Sequence, residues 1–215
     1  MESNVLKSPR TGKTLIRVAT KTTTPGSDTT AKPIEIDRRY IEVIVSDSTL
    51  LSTGSQWGHT AITVNGTVYS RAHGEYVTAS KDAYFHGGQF MTWNGPRQRD
   101  GNGYRDNVGI VLWLSEREER LVESELKRRV QIDREFKRKH PDETTYSIFS
   151  NSCSSNVADV LELTGILAHD PRWLPFPTTP AEVLTALSKS NRFVRRIAYP
   201  KHRNKPPQEH GEITK

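Results

Sequence analysis

The chain has 215 residues, of which 33% are hydrophobic and 26% charged, with a formal net charge of +6 and a single cysteine. That length allows one substantial domain with tails, and the low apolar fraction places some residues outside the core. One cysteine excludes an internal disulfide framework or a multi-cysteine zinc site, and no run approaches the ~20 apolar residues of a membrane span.

Residues 1–37 are rich in Thr, Ser, Lys and Pro, and TKTTTPGSDTTAKP is near low complexity. They offer few large apolar side chains to offset ordering entropy, so the segment reads as a mobile arm. Its start, MESNVLKSPRTGK, lacks the apolar stretch of a secretory signal. The TGKT at Thr11–Thr14 lacks the upstream glycine and strand that a phosphate loop requires.

Residues 38–200 carry the globular pattern, beginning with a β-branched strand, YIEVIVSDS, at Tyr40–Ser48. After a polar loop, GHTAITV and TVYSRAH flank Asn65-Gly66, a hairpin signal because both residues tolerate positive φ. Residues 74–107 are rich in Gly, Asn and Asp and read as a long irregular excursion with one short strand. Val108–Leu114 is a buried strand.

Ser115 and Glu118 form the S-x-x-E capping box of a helix that runs to about Lys139, before Pro141. A second helix contains DVLELTGI and closes at Gly165; a third has Thr179 as N-cap and Pro180 at its first position. RFVRRIAY is a final strand, and residues 201–215 are a basic tail. The order predicts an α+β fold, an antiparallel sheet packed with helices.

Cys153 falls where the capping residues Ser150, Asn151 and Ser152 give way to the apolar stripe of Val157, Val160 and Leu161. A free cysteine is often only a small buried hydrophobe. In the first turn of a helix, however, unpaired N–H groups and the positive dipole end stabilise a thiolate. A thiolate nucleophile needs a base, and His59 and His73, at the open end of the hairpin, are the candidates.

Hairpin register decides which groups meet. A two-residue turn pairs Val64 with Thr67, puts Ser70 on the His59 face and turns His73 away. A three-residue loop with a bulge pairs His59 with His73 instead. Glu75 is a further candidate to orient the imidazole.

WGHTAITVNGTVYSRAHG, followed by SNSCSSNVADVLELTGI and PTTPAEVLTAL, resembles the circularly permuted, papain-like hydrolases of the NlpC/P60 superfamily. There the histidine strand precedes the cysteine helix. The resemblance spans about residues 40–190 and departs from the pattern in having NSC where a tighter NC is common. It implies a permuted papain-like fold, Cys153 as nucleophile, His59 as base and His73, ahead of Ser70 or Glu75, as orienting group. It further implies oxyanion donors at Ser152–Cys153 and no metal or cofactor.

Trp57, Tyr84, Phe85, Phe90 and Trp93 are candidates to wall a substrate groove. The implied substrate is an amide bond in peptidoglycan peptide stems. The implied setting is a type VI secretion effector, made in the cytoplasm without a signal peptide and acting in the periplasm of a target cell. Its expected partners are an immunity protein and a secretion carrier.

The same Cys–His chemistry also serves acyl transfer, thioester hydrolysis or deamidation. A basic nucleic-acid module or a secretion adaptor is the non-enzymatic alternative. Basic residues spread over Lys127–Lys139, Arg192–Arg196 and Lys201–Lys205 read as a solvated surface rather than a nucleic-acid footprint.

Overall fold

The computed structural model describes residues 16–21, 32–48, 58–170, 177–201 and 208–210. Its frame is a nine-stranded antiparallel sheet. In chain order the strands are β3 (Arg38–Ser46), β4 (His59–Val64), β5 (Thr67–Arg71), β6 (Tyr76–Ser80), β7 (Gly88–Thr92), β8 (Gly95–Arg99), β9 (Asn107–Ser115), β10 (Phe193–Tyr199) and β11 (Gln208–His210). In space they run β11-β10-β9-β3-β4-β5-β6-β7-β8. The helices are α1 (Lys81–His86), α2 (Glu116–Lys139), α3 (Cys153–Glu162) and α4 (Pro180–Ser188). No described helix is long and apolar enough to cross a membrane.

The central strands are buried on both faces, and their side chains alternate between two cores. Ile41, Val43, Ile62, Val64, Leu112 and Leu114 face α2, α3 and α4 through Val122, Leu126, Val160, Leu161, Val183 and Leu187. Ile44, Ala61, Val68, Val77 and Val111 pack on the other side with Tyr84 and Phe85 of α1 and with Tyr199 of β10. The α+β class expected from the order of elements is the class observed.

The helix starts follow the capping signals in the sequence. Ser115 N donates to Glu118 Oε2 at 2.7 Å and Glu118 N to Ser115 Oγ at 3.3 Å, closing the capping box that launches α2 from β9. Thr179 caps α4, with Pro180 at its start.

Residues 74–107 are more ordered than their composition suggests. They form β6, α1, β7 and β8 and extend the sheet to its edge. A two-residue turn at Trp93-Asn94 joins β7 to β8, with Gly95 at positive φ opening β8, and Ser80 caps α1 by accepting from Ala83 N. In the segment read as an arm, β1 (Ile16–Lys21) and β2 (Lys32–Ile36) pair antiparallel as a separate two-stranded sheet. Their Ile, Val and Thr content favours extended backbone. In the tail, β11 pairs with β10.

Candidate active site

The β4–β5 hairpin takes the two-residue turn: Val64 pairs with Thr67 and Ile62 with Tyr69, and Asn65 and Gly66 both have positive φ. Period-two alternation then puts His59 and Ser70 on one face. The consequence is direct, since His59 Nε2 and Ser70 Oγ lie 2.7 Å apart in a buried hydrogen bond. Gly58 fixes the entry to this strand. A Cβ there would lie 2.7 Å from Ser46 O, and its φ of +94° favours glycine.

α3 brings the cysteine to the start of β4. Ser152 is its N-cap, and Cys153, Ser154, Ser155 and Asn156 of its first turn are all buried. Thr60 Oγ1 and Ser154 Oγ are 3.5 Å apart across the junction. Burial pushes the Cys153 thiol up, but the charge and hydrogen bonding of His59, with hydrogen bonds from the backbone and side chain of Thr60, reverse this and bring it to about 6. Since Nε2 of His59 is engaged by Ser70, Nδ1 is the ring nitrogen left for the sulfur. His59 therefore interacts with both Cys153 and Ser70.

The other residues singled out in the sequence take different positions. His73 is exposed; its ring packs on Tyr146 at 4.9 Å between centroids, and its carbonyl accepts from Thr144 Oγ1 at 2.7 Å. It is Ser70, not His73, that hydrogen-bonds His59; His73 lies beyond the end of β5, with its ring against Tyr146. Glu75 is paired with Arg99 and accepts from Trp93 N at 3.0 Å. Ser152 N donates to Ser155 Oγ at 2.8 Å. Its N–H is thus held by the helix cap.

Trp57 lies outside the described residues. Tyr84, Phe85 and Phe90 are core side chains. Tyr84 and Phe90 also line a cavity of about 180 Å³ beside His59 and Ser70, whose other walls include His73, Arg99, Asp100, Asn102 and Arg105.

Tyr146 had no signal in the sequence, since it lies in a loop without periodicity. Its hydroxyl interacts with both the backbone N–H and the thiol of Cys153, and its pKa is raised, by burial first and then by the Cys153 charge. Thr60 was hidden for another reason, as its role depends on where α3 docks.

Fold and site together define a class: an α+β protein in which a buried cysteine at a helix N-terminus faces a histidine on an earlier strand. Among solved structures, that of the type VI secretion system effector TseH is similar to this chain, with 79% of this chain aligned to 96% of that one at 15% identity and a TM-score of 0.47. No protein-family model and no curated protein matches the chain. The functional reading therefore rests on the site itself.

Proposed function

We propose that this chain is a cysteine hydrolase that cleaves amide bonds, with the peptide stems of peptidoglycan as substrate, and that it acts as an antibacterial type VI secretion effector. The observation that supports it is the buried group of Cys153, His59 and Ser70, in which the thiol is brought to about 6 by its surroundings. At neutral pH such a thiol is largely a thiolate, and His59 is the base placed to take its proton.

The thiolate attacks the amide carbonyl carbon and the carbonyl oxygen becomes an oxyanion, which displaces the Tyr146 hydroxyl from the Cys153 N–H and is held there. His59 gives its Nδ1 proton to the leaving amine as the tetrahedral intermediate collapses to a thioester. Deprotonated, His59 then takes a proton from water, which attacks the thioester and releases the acid and the thiolate. Ser70 holds the ring through both half-reactions. No step calls for a metal, and no cluster of metal-ligating side chains occurs among the described residues.

Three further features support the substrate and setting. The cavity beside His59 is lined largely by polar groups, which suits a peptide better than an acyl chain. The net charge of +6 favours approach to an anionic wall polymer. The effector setting, with an immunity protein and a secretion carrier as partners and the target periplasm as its place of action, follows from the resemblance carried by the His59 hairpin and the Cys153 helix.

The test directs the wild type, Cys153→Ala and His59→Ala to the bacterial periplasm and analyses the muropeptides released. Lysis and new stem fragments are expected from the wild type alone. Equal toxicity from three folded proteins would sink the nucleophile assignment and favour a binding module.

A further inference from the structure

Arg71, the last residue of β5, is buried to 2% side-chain exposure, and its partner Asp133 of α2 to 5%; Arg71 Nη1 and Asp133 Oδ1 are 3.3 Å apart. Asp133 Oδ2 accepts from Tyr76 N at 2.6 Å, which ties the ion pair to β6. Arg71 Nη1 also donates to Ala72 O at 3.2 Å, and Nη2 donates to Thr145 Oγ1 at 2.9 Å. Its guanidinium carbon stands 5.7 Å from the centre of the Tyr146 ring.

From Thr145 the network runs to Ser152, the residue before the nucleophile. Asn151 Nδ2 donates to Thr145 O at 2.8 Å and approaches Thr145 Oγ1 at 3.2 Å. Ser147 and Asn151 close the intervening turn by exchanging backbone hydrogen bonds of 2.9 and 3.3 Å. Asn156 Nδ2 then donates to Asn151 Oδ1 at 2.6 Å and to Ser152 O at 2.9 Å. Tyr76, Arg71, Asp133, Thr145, Asn151 and Asn156 surround one cavity of about 220 Å³ behind the turn.

A buried ion pair is a poor means of gaining stability, because desolvation offsets most of its attraction and apolar replacements are often neutral. Here one donor of the pair, Arg71 Nη2, is aimed at the segment that leads to Cys153. We propose that Arg71, braced by Asp133, is a positioning residue for the nucleophile: through Thr145 it fixes the turn that sets Tyr146 and the first residues of α3 against the thiol. This rests on Cys153 being the nucleophile.

Thr145→Val removes the hydroxyl that Arg71 holds while keeping side-chain shape at an exposed position; Thr145→Ser keeps the hydroxyl. Two rates are compared with thermal stability: alkylation of Cys153 by iodoacetamide at pH 8, and release of muropeptides from purified sacculi. With the turn loosened, Thr145→Val should alkylate several-fold faster, because the thiol is less covered. It should hydrolyse sacculi roughly tenfold more slowly, in keeping with the sensitivity of rates to small misplacements, at an unchanged Tm. Thr145→Ser should restore both rates.

The paired replacement Arg71→Met with Asp133→Asn, which keeps an acceptor for Tyr76 N, should act on both rates as Thr145→Val does. Alkylation of Thr145→Val at the wild-type rate overturns the positioning role. A wild type that alkylates readily but leaves sacculi intact counts against the substrate alone, and the alkylation comparison still decides the role of Arg71.

Discussion

His59 Nε2 and Ser70 Oγ, 2.7 Å apart, face each other diagonally across one hairpin. The relationship is set by a two-residue turn at Asn65-Gly66, so a local backbone preference determines which group steadies the imidazole. A hydroxyl in this place differs from a carboxylate. It accepts from an imidazolium and donates to a neutral imidazole, but brings no charge to favour the cation.

Ser70→Ala therefore leaves the pair intact and frees the ring to rotate. We expect kcat to fall about 10- to 100-fold, the usual effect of losing a group that orients a first partner, with KM little changed and the fold retained. Ser70→Thr should recover part of the loss. Steady-state kinetics on muropeptides checks this; an unchanged kcat in Ser70→Ala would assign the orienting role elsewhere.

The Cys153 thiol gives a second prediction, in pH. Alkylation follows the thiolate, so its rate in the wild type should rise with a midpoint near 6. In His59→Ala burial is no longer opposed by the imidazole, and the midpoint should climb to the ordinary thiol value of about 8.5 or beyond. Stability carries the same sign. The folded value lies below the unfolded one, so the contribution is fully present above about pH 8.5 and is lost as pH falls through the folded value. The stability difference between wild type and Cys153→Ala should accordingly shift toward the wild type from pH 5 to pH 9, as read by urea unfolding. A difference that does not change with pH would show that the thiol is not depressed in the folded state.

The parts of this site legible in the sequence were those written in local chemistry. Ser152 before an apolar stripe placed Cys153 in a helix's first turn, and Asn65-Gly66 placed His59 on a hairpin strand. Glu118 three residues after Ser115 marked the start of α2. Residues 74–107 were obscure because β8, GPRQR, has no apolar alternation, so it is a strand only through its pairing with β7. The third member of the site was open between two registers, and one residue of turn length separates Ser70 from His73. Tyr146 and Arg71 were invisible for a deeper reason: each acts through a neighbour more than 60 residues away in one direction or a few residues away in a loop, and neither leaves a period or a spacing. Long-range docking of α2 and α3 creates those contacts.

Gly109 supplies the last prediction, one on the face away from the nucleophile. Glu42 of β3 is buried, and both carboxylate oxygens are fixed: Lys81 Nζ donates to Oε2 at 2.6 Å and Tyr199 OH to Oε1 at 2.7 Å. Lys81 also stands 4.9 Å from the centre of the Tyr199 ring. The carboxylate lies directly over Gly109 of β9, where an added Cβ would fall 1.8 Å from Glu42 Oε1 and 3.0 Å from Tyr199 Cε2. Gly109→Ala must therefore displace a buried charge from both of its partners. The expected loss is about 2–3 kcal/mol, the upper range for overpacking a filled interior. Urea unfolding checks the size, and a double-mutant cycle checks the cause. If the clash with the carboxylate is responsible, adding Gly109→Ala to Glu42→Ala should cost much less than adding it to the wild type, whereas strict additivity would place the strain in the β9 backbone.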